Sequence, residues 1–229
     1  MHPSPAEIPA LHGPARAAPW LAAVQAQWPA LMAGVFAAAW LLAAWQPLYL
    51  QDWALENVLS LLAAWWLLQR HRRAPLSNLA YGLLCLFGIA HEIGSHFTYA
   101  EVPFRPLLRS LGFAGGGRND YDRVVHFLFG LLCYRPLAEV LAPRLNGASA
   151  RRYGALGLVA LISLLYEQLE MLAALVFGGD LGQAYLGTQG DVWDSQKDSA
   201  LAFAGALLTA ALLPRAFCTR IAASPSPPV

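Results

Sequence analysis

Six stretches of this chain are apolar enough and long enough to cross a bilayer as helices: about 29–45, 53–69, 77–99, 120–141, 153–177 and 195–213. A hydrocarbon core some 30 Å thick takes about 20 helical residues, with roughly 17–25 tolerated. No water reaches the backbone there, so a chain with this pattern is confined to a bundle of helices. The breaks fit: Pro47, the basic run Arg70-His71-Arg72-Arg73, Pro143, Gly178-Gly179 and Pro214 each follow a segment, and Ser77 is placed to cap the third. Pro136 is expected to kink the last turns of the fourth. Only 13% of residues are charged, about half the share of a soluble domain. The expected fold is all-α, a polytopic membrane bundle of about six transmembrane helices.

Three parts are expected along the chain: a mobile Pro- and Ala-rich arm (1–28), a six-helix transmembrane domain (29–216) and a disordered Pro/Ser-rich tail (217–229). The arm lacks the basic start and apolar run of a secretory signal. A net charge of +1 gives no case for nucleic acid, and the partner implied is the lipid bilayer. Cys85, Cys133 and Cys218 lie in or at the ends of apolar segments without metal-type spacing, and read as small hydrophobes. No internal repeat suggests an inverted-repeat transporter. Trp20, Trp28, Trp45 and Trp53 sit near segment ends, as interfacial anchors do.

Loop charge sets the expected orientation. Arg70, Arg72 and Arg73 follow the second segment, Arg144, Arg151 and Arg152 the fourth, and Arg215 and Arg220 the sixth. If the segments alternate, all three groups share one side with Arg16, and both termini are cytoplasmic. Arg105, Arg109 and Arg118 in the third loop run against this contrast.

On that path, ionisable residues from four segments meet at one level under the outer face: His91, Glu92 and His96; Asp122 and His126; Glu167 and Glu170; Asp191, Asp194 and Asp198. Each costs roughly 2.5–3.5 kcal/mol at the bilayer centre on insertion scales, so such groups normally face a protein interior and mark function. Glu92, His96 and Tyr99 are spaced i, i+4, i+7, Asp122 and His126 i, i+4, and Glu167 and Glu170 i, i+3. Asp191, Asp194 and Asp198 would continue the pattern if that stretch is helical. Carboxylates and imidazoles so spaced on facing helices hold metal ions in helix bundles.

Plainer readings compete. Asn119-x-x-Asp122 and Ser195-x-x-Asp198 resemble capping boxes, so Asp120 and Asp198 could serve as caps. Arg118, Arg123 and Lys197 could neutralise some acids in a buried ion-pair network. Seven acids still face those three cations, and the surplus calls for histidinium, shared protons or a metal. Asp52, Glu56 and Asn57 read as solvated residues at a helix start, with Glu56 an outside candidate for the site. The Gly115-Gly116-Gly117-Arg118-Asn119 turn reads as a flexible loop before an anion site.

HEIGSHFTY at 91–99, RNDYDRVVHFLFG at 118–130, YEQLE at 166–170 and GTQGDVWDSQKD at 187–198 together resemble the YjdF-like family of bacterial inner-membrane proteins, over residues 30–213. The resemblance implies a polytopic inner-membrane location. It implies that His91, Glu92, Tyr99, Arg118, Asn119, Asp122, His126, Glu167, Glu170, Gln189, Gly190, Asp191, Asp194 and Asp198 belong to a shared signature. It implies no particular metal, substrate or reaction.

Two function classes follow. One is a metal-dependent intramembrane enzyme on a lipid-linked or envelope substrate. Its Zn, Fe or Mn would sit on carboxylates and imidazoles, and catalysis would involve Asp122, His126, Glu167 and Glu170, with His126 or Glu167 moving protons. The other is a proton or cation conductor, or a small-solute transporter, using the same acids as a relay. A structural membrane protein with a buried ion-pair network is the third possibility.

Overall fold

A computed structural model of the chain describes residues 19–112, 117–177 and 188–213. Seven helices account for most of them: α1 (Pro19–Ala44), α2 (Leu50–Arg73), α3 (Asn78–His96), α4 (Phe104–Ser110), α5 (Tyr121–Leu141), α6 (Ala148–Phe177) and α7 (Asp194–Leu212). The arm up to residue 18, Gly115, Gly116, Gly178, Gly179, Arg215, Cys218, Arg220 and the tail lie outside the described residues. Among the described residues, three spans meet the length and composition of a membrane crossing: Ala23–Ala44, Tyr121–Leu141 and Ala148–Val176. Half of the α5 span is buried, against 6% of the α1 span. α5 is therefore the central helix, and α1 lies on the outside.

Three details depart from the sequence expectation. α1 begins ten residues before Pro29 and runs through it. The third loop contains the short helix α4. α3 stops at His96, short of Tyr99, because the chain turns back on itself. Thr98 and Tyr99 take left-handed backbone angles (φ 51° and 48°), and the Tyr99 N–H returns to the Gly94 carbonyl at 2.8 Å. The Tyr99 ring then lies on Gly94, where a Cβ would meet its Cε1 at 2.5 Å. Only glycine leaves room for this return.

The most extensive packing joins α5 to α7. Lipid tails are as apolar as leucine, so helices in a bilayer associate by close packing, and small residues permit the closest approach. A Cβ on Gly130 of α5 would collide with the Ala202 carbonyl, and one on Gly205 of α7 with the Phe127 carbonyl. Thr209 Oγ1 donates across the same seam to the Leu131 carbonyl at 2.7 Å. Contacts advance together along both helices, so α5 and α7 run parallel, and the returning α6 packs against both. Beyond the seam, Tyr134, Ala138, Ala155, Leu156, Val159, Ala206 and Ala210 form a buried apolar core.

α1 packs on α3, where a Cβ on Gly88 would meet the Phe36 ring at 2.7 Å. Ser77 caps α3, its Oγ accepting from the Ala80 N–H at 3.2 Å. Buried Glu139 of α5 accepts from both the N–H and Oγ of Ser77, at 2.8 and 2.7 Å. Elsewhere the bundle faces outward with apolar side chains, among them Leu42 (74% exposed) and Leu175 (73%).

Gly130→Ala should destabilise the bundle by about 1–3 kcal/mol through overpacking, read as a lower unfolding temperature in detergent. Gly157→Ala is the control: a Cβ there meets nothing within 4 Å, so the change should be neutral or stabilise by up to about 1 kcal/mol. Equal effects at both positions would show that the α5–α7 seam is not specially close.

Candidate metal centre

The seam that forces α5 against α7 also determines what faces what one turn away. His126 precedes Gly130 by four residues, and Asp198 precedes Ala202 by four, so the pair lies directly above the closest contact. Asp122, a further turn up α5, joins them. One ligand atom from each of Asp122, His126 and Asp198 falls within 4.8 Å of the others. His126 and Asp198 are buried and Asp122 half-buried. α6 adds a fourth group, with Glu167 Oε1 3.4 Å from His126 Nε2. Asp122 Oδ1 lies 3.6 Å from the same nitrogen.

Two ligands on one Zn, Fe or Mn ion, each at about 2.1 Å, sit at most ~4.2 Å apart. Closing 4.8 Å to that span takes roughly half an ångström of carboxylate movement. The donor set, oxygen and imidazole without thiolate, suits those metals. Asp198 gives the clearest sign of a missing partner: it is 2% exposed, and its Oδ1 takes no hydrogen bond among the described residues. A buried carboxylate without donors is costly unless a cation or a proton compensates it.

The cations offered by the sequence are engaged one layer further out. Arg118 bonds Asp194 at 2.6 Å and also reaches Asp120. Arg123 pairs with Asp120 at 3.0 Å, with Asp194 at 3.5 Å and with Asp191. Lys197 holds Asp191 at 2.5 Å. At the inner cluster, the ion pairs with Asp122 and Glu167 are made by His126.

The outer layer is also the scaffold. Asn119 donates to the carbonyls of Ala100 (2.9 Å) and Val102 (2.7 Å) and accepts from the Tyr121 N–H at 3.2 Å. Gln189, at a left-handed φ of 47°, exchanges two bonds with the Asn119 backbone, at 2.8 and 2.9 Å. Arg118 also donates to the Thr188 carbonyl. The turn after α3, the start of α5 and the approach to α7 are thereby fastened together over the site.

The α3 residues form a neighbouring layer. Tyr99 Oη and His91 Nδ1 are hydrogen-bonded at 2.5 Å. His96 Nδ1 donates to the Ala43 carbonyl at 2.9 Å, since a carbonyl can only accept, and so ties α3 to α1. Glu92 is 1% exposed and receives Ser95 Oγ at 3.4 Å. Glu170 is half-buried, close enough to Asp122 and Glu167 to feel their charge. Asp191 precedes α7, whose first residue is Asp194, so the three aspartates do not form one helical stripe. Asp198, in the second turn of α7, is not a helix cap, and Asp120 caps α5 by position without a side-chain capping bond.

Sequence reasoning passed over Tyr166 and underweighted α2. Tyr166 Oη donates to Glu56 Oε2 at 2.7 Å, and its ring stands edge-on to His126, centroids 6.0 Å apart. The buried residues of α2 are Asp52, Glu56 and Asn57. Asp52 accepts from Thr98 Oγ1 at 2.9 Å, and Asn57 Oδ1 accepts from Trp40 Nε1 at 2.6 Å. The available signal was position: Tyr166 adjoins Glu167 and precedes Glu170 by one turn.

A helical bundle with a lipid-facing apolar surface and buried acids on its inner faces defines a multi-pass membrane protein. Comparison with known proteins agrees. The family model described as "Predicted membrane protein (DUF2238)" matches residues 28–218. "Inner membrane protein YjdF" of Escherichia coli (strain K12) is 34% identical over 171 residues, covering 74% of this chain and 80% of that protein. No solved structure matches. The chain belongs to this family, and it is a multi-pass protein of the bacterial inner membrane.

The outer layer makes a pH prediction. Bonds from Lys197, the Trp193 N–H and Arg123 hold the Asp191 carboxyl at about 2, below its ordinary 3.8. A carboxyl depressed in the folded state stabilises above its unfolded pKa, and that contribution is lost as pH falls through the folded value. Asp191→Asn should therefore unfold at lower temperature than wild type at neutral pH, and the gap should close between about pH 4 and 2. A gap independent of pH would mean these bonds do not hold the ionised form.

Proposed function

We propose that Asp122, His126 and Asp198 bind a divalent cation and that the protein is a metal-dependent membrane enzyme acting on a lipid-linked or envelope substrate. The observation that carries this is the convergence of the three ligand atoms around Asp198, which is buried and has no hydrogen bond to Oδ1 among the described residues. A divalent ion there would polarise a substrate oxygen or lower the pKa of water. Glu167, 3.4 Å from His126, is positioned to take a proton from a water or substrate held at the centre. Glu170, one turn along α6, is the next acceptor.

The proposal includes an orientation. α1, α2, α3, α5, α6 and α7 each cross the bilayer, both termini are cytoplasmic, and the centre opens to the outer leaflet. Two observations support it. The 24 residues of α2 make about 36 Å of helix, enough to cross. Arg70 and Arg73 at the end of α2 and Arg144 in the turn between α5 and α6 line one pocket, as positions on a common cytoplasmic face would.

One observation favours a second reading. The Glu56–Tyr166 hydrogen bond beside His126 extends the acids into a path that a proton relay could use.

Elemental analysis of the detergent-purified protein separates the two. The enzyme reading expects close to one equivalent of Zn, Fe or Mn, reduced at least tenfold in Asp198→Asn and in His126→Ala and kept in Asp191→Asn. Metal-free wild type, with proton flux in proteoliposomes that Glu167→Gln abolishes, would replace it with the relay.

A further inference from the structure

The arginines at the opposite end of α2 form a second site. Trp65, Trp66, Gln69, Arg70, Arg73, Ala74 and Arg144 enclose a pocket of about 440 Å³, within the ~300–1,000 Å³ range of small-molecule sites. Three arginines line it, two from the end of α2 and one from the turn between α5 and α6; Arg144 Nη1 also donates to the Val140 carbonyl at 3.1 Å. Arg70 and Arg144 are close enough to repel. The acid within reach of Arg70's charge, Glu139, is already engaged by Ser77 at 2.7 and 2.8 Å and by Arg135 at 3.2 Å. Arg70 Nε is buried without a hydrogen-bond partner among the described residues.

We infer that this pocket binds the phosphate of an anionic phospholipid headgroup in the leaflet at the arginine-rich end. A phosphodiester supplies the missing negative charge and acceptor oxygens, and planar guanidinium groups match it in pairs. The surroundings distinguish a lipid from a soluble anion. Trp65 and Trp66 are 61% and 44% exposed, as indoles at a membrane interface are. Arg70 lies 5.9 Å from the centre of the Trp66 ring. From there α2 runs into the hydrocarbon with Leu62, Leu61 and Val58 each 52–55% exposed, a surface for acyl chains.

Native mass spectrometry of the full chain in detergent tests this, with phosphatidylglycerol and phosphatidylcholine titrated separately and inorganic phosphate as competitor. Wild type should retain phosphatidylglycerol in preference to phosphatidylcholine, and millimolar phosphate should not displace it. Each arginine near a charged lipid surface contributes roughly a fivefold factor in affinity. Arg73→Gln and Arg144→Gln, both at exposed positions, should each weaken retention by about that factor, and the triple variant with Arg70→Gln should abolish the preference. The two single variants carry the test if the triple variant fails to fold. Equal retention of both lipids, an unchanged preference in the single variants, or full displacement by phosphate would overturn the assignment.

Discussion

The bundle depends on a single close approach, α5 against α7 through Gly130 and Gly205. In water, burial of apolar surface would drive such a contact. Between helices already in lipid that term is nearly absent, and what remains is dispersion and interhelical hydrogen bonding over a well-fitted seam. Two glycines facing the opposite backbone carbonyls, flanked by Ala202 and Ala206, give the seam its fit. Because α5 and α7 are parallel, closing it also brings the first turns of both helices together. Asp122 and His126 then face Asp198 whether or not that is electrostatically comfortable. The packing at Gly130 thus supplies the work of gathering charge, and the acids need compensation from elsewhere.

Compensation is arranged in layers. Arg118, Arg123 and Lys197 attach to Asp120, Asp191 and Asp194, at the level where the helices emerge into loops. One turn deeper, Asp122 and Glu167 share His126, and Asp198 offers a ligand atom within 4.8 Å of those of Asp122 and His126. An arginine in that inner space would fill it with a fixed charge. A histidine leaves room for a cation and can itself gain or lose a proton. At the other end, Arg151 is buried yet donates to the carbonyls of Ala142 (3.2 Å) and Leu145 (2.9 Å), closing the end of α5. There an arginine is structural. The same side-chain type therefore caps a helix at one end, clamps a loop at the other and is kept out of the centre.

Much of this was legible in the sequence because bilayer thickness fixes helix length. The long apolar segments, the Ser77 cap and the shared face of Asp122 and His126 all follow from period and spacing. What was not legible depends on the solvent reversing the usual rule. In α2 the apolar residues face outward while Asp52, Glu56 and Asn57 are buried, so a pattern that reads as a solvated start is the docking face. Gly130 and Gly205 look like weak points in helices until the opposing backbone is known. The return of Tyr99 to His91 requires left-handed angles at Thr98 and Tyr99, which no periodicity announces. Which acids would take the arginines is a three-dimensional question, since Arg123 and Asp191 are 68 residues apart.

α2 links the two ends of the molecule. It touches the bundle through a few polar groups near its start, the Asp52–Thr98, Asn57–Trp40 and Glu56–Tyr166 bonds, and its later turns expose Leu61, Leu62, Trp65 and Leu68. A buried neutral hydrogen bond contributes about 0.5–1.5 kcal/mol net, and one to a charged group about 1.5–3, so a handful of them fixes the helix start while leaving the far end lightly held. The arginine pocket lies at that far end, between α2 and the α5–α6 turn. A headgroup bridging Arg70 and Arg73 to Arg144 would fasten α2 to the bundle where its own side chains do not. Lipid bound at one face would then steady the helix that carries Glu56 toward Tyr166 and His126 at the other, coupling the two sites through a rigid rod with no change of fold.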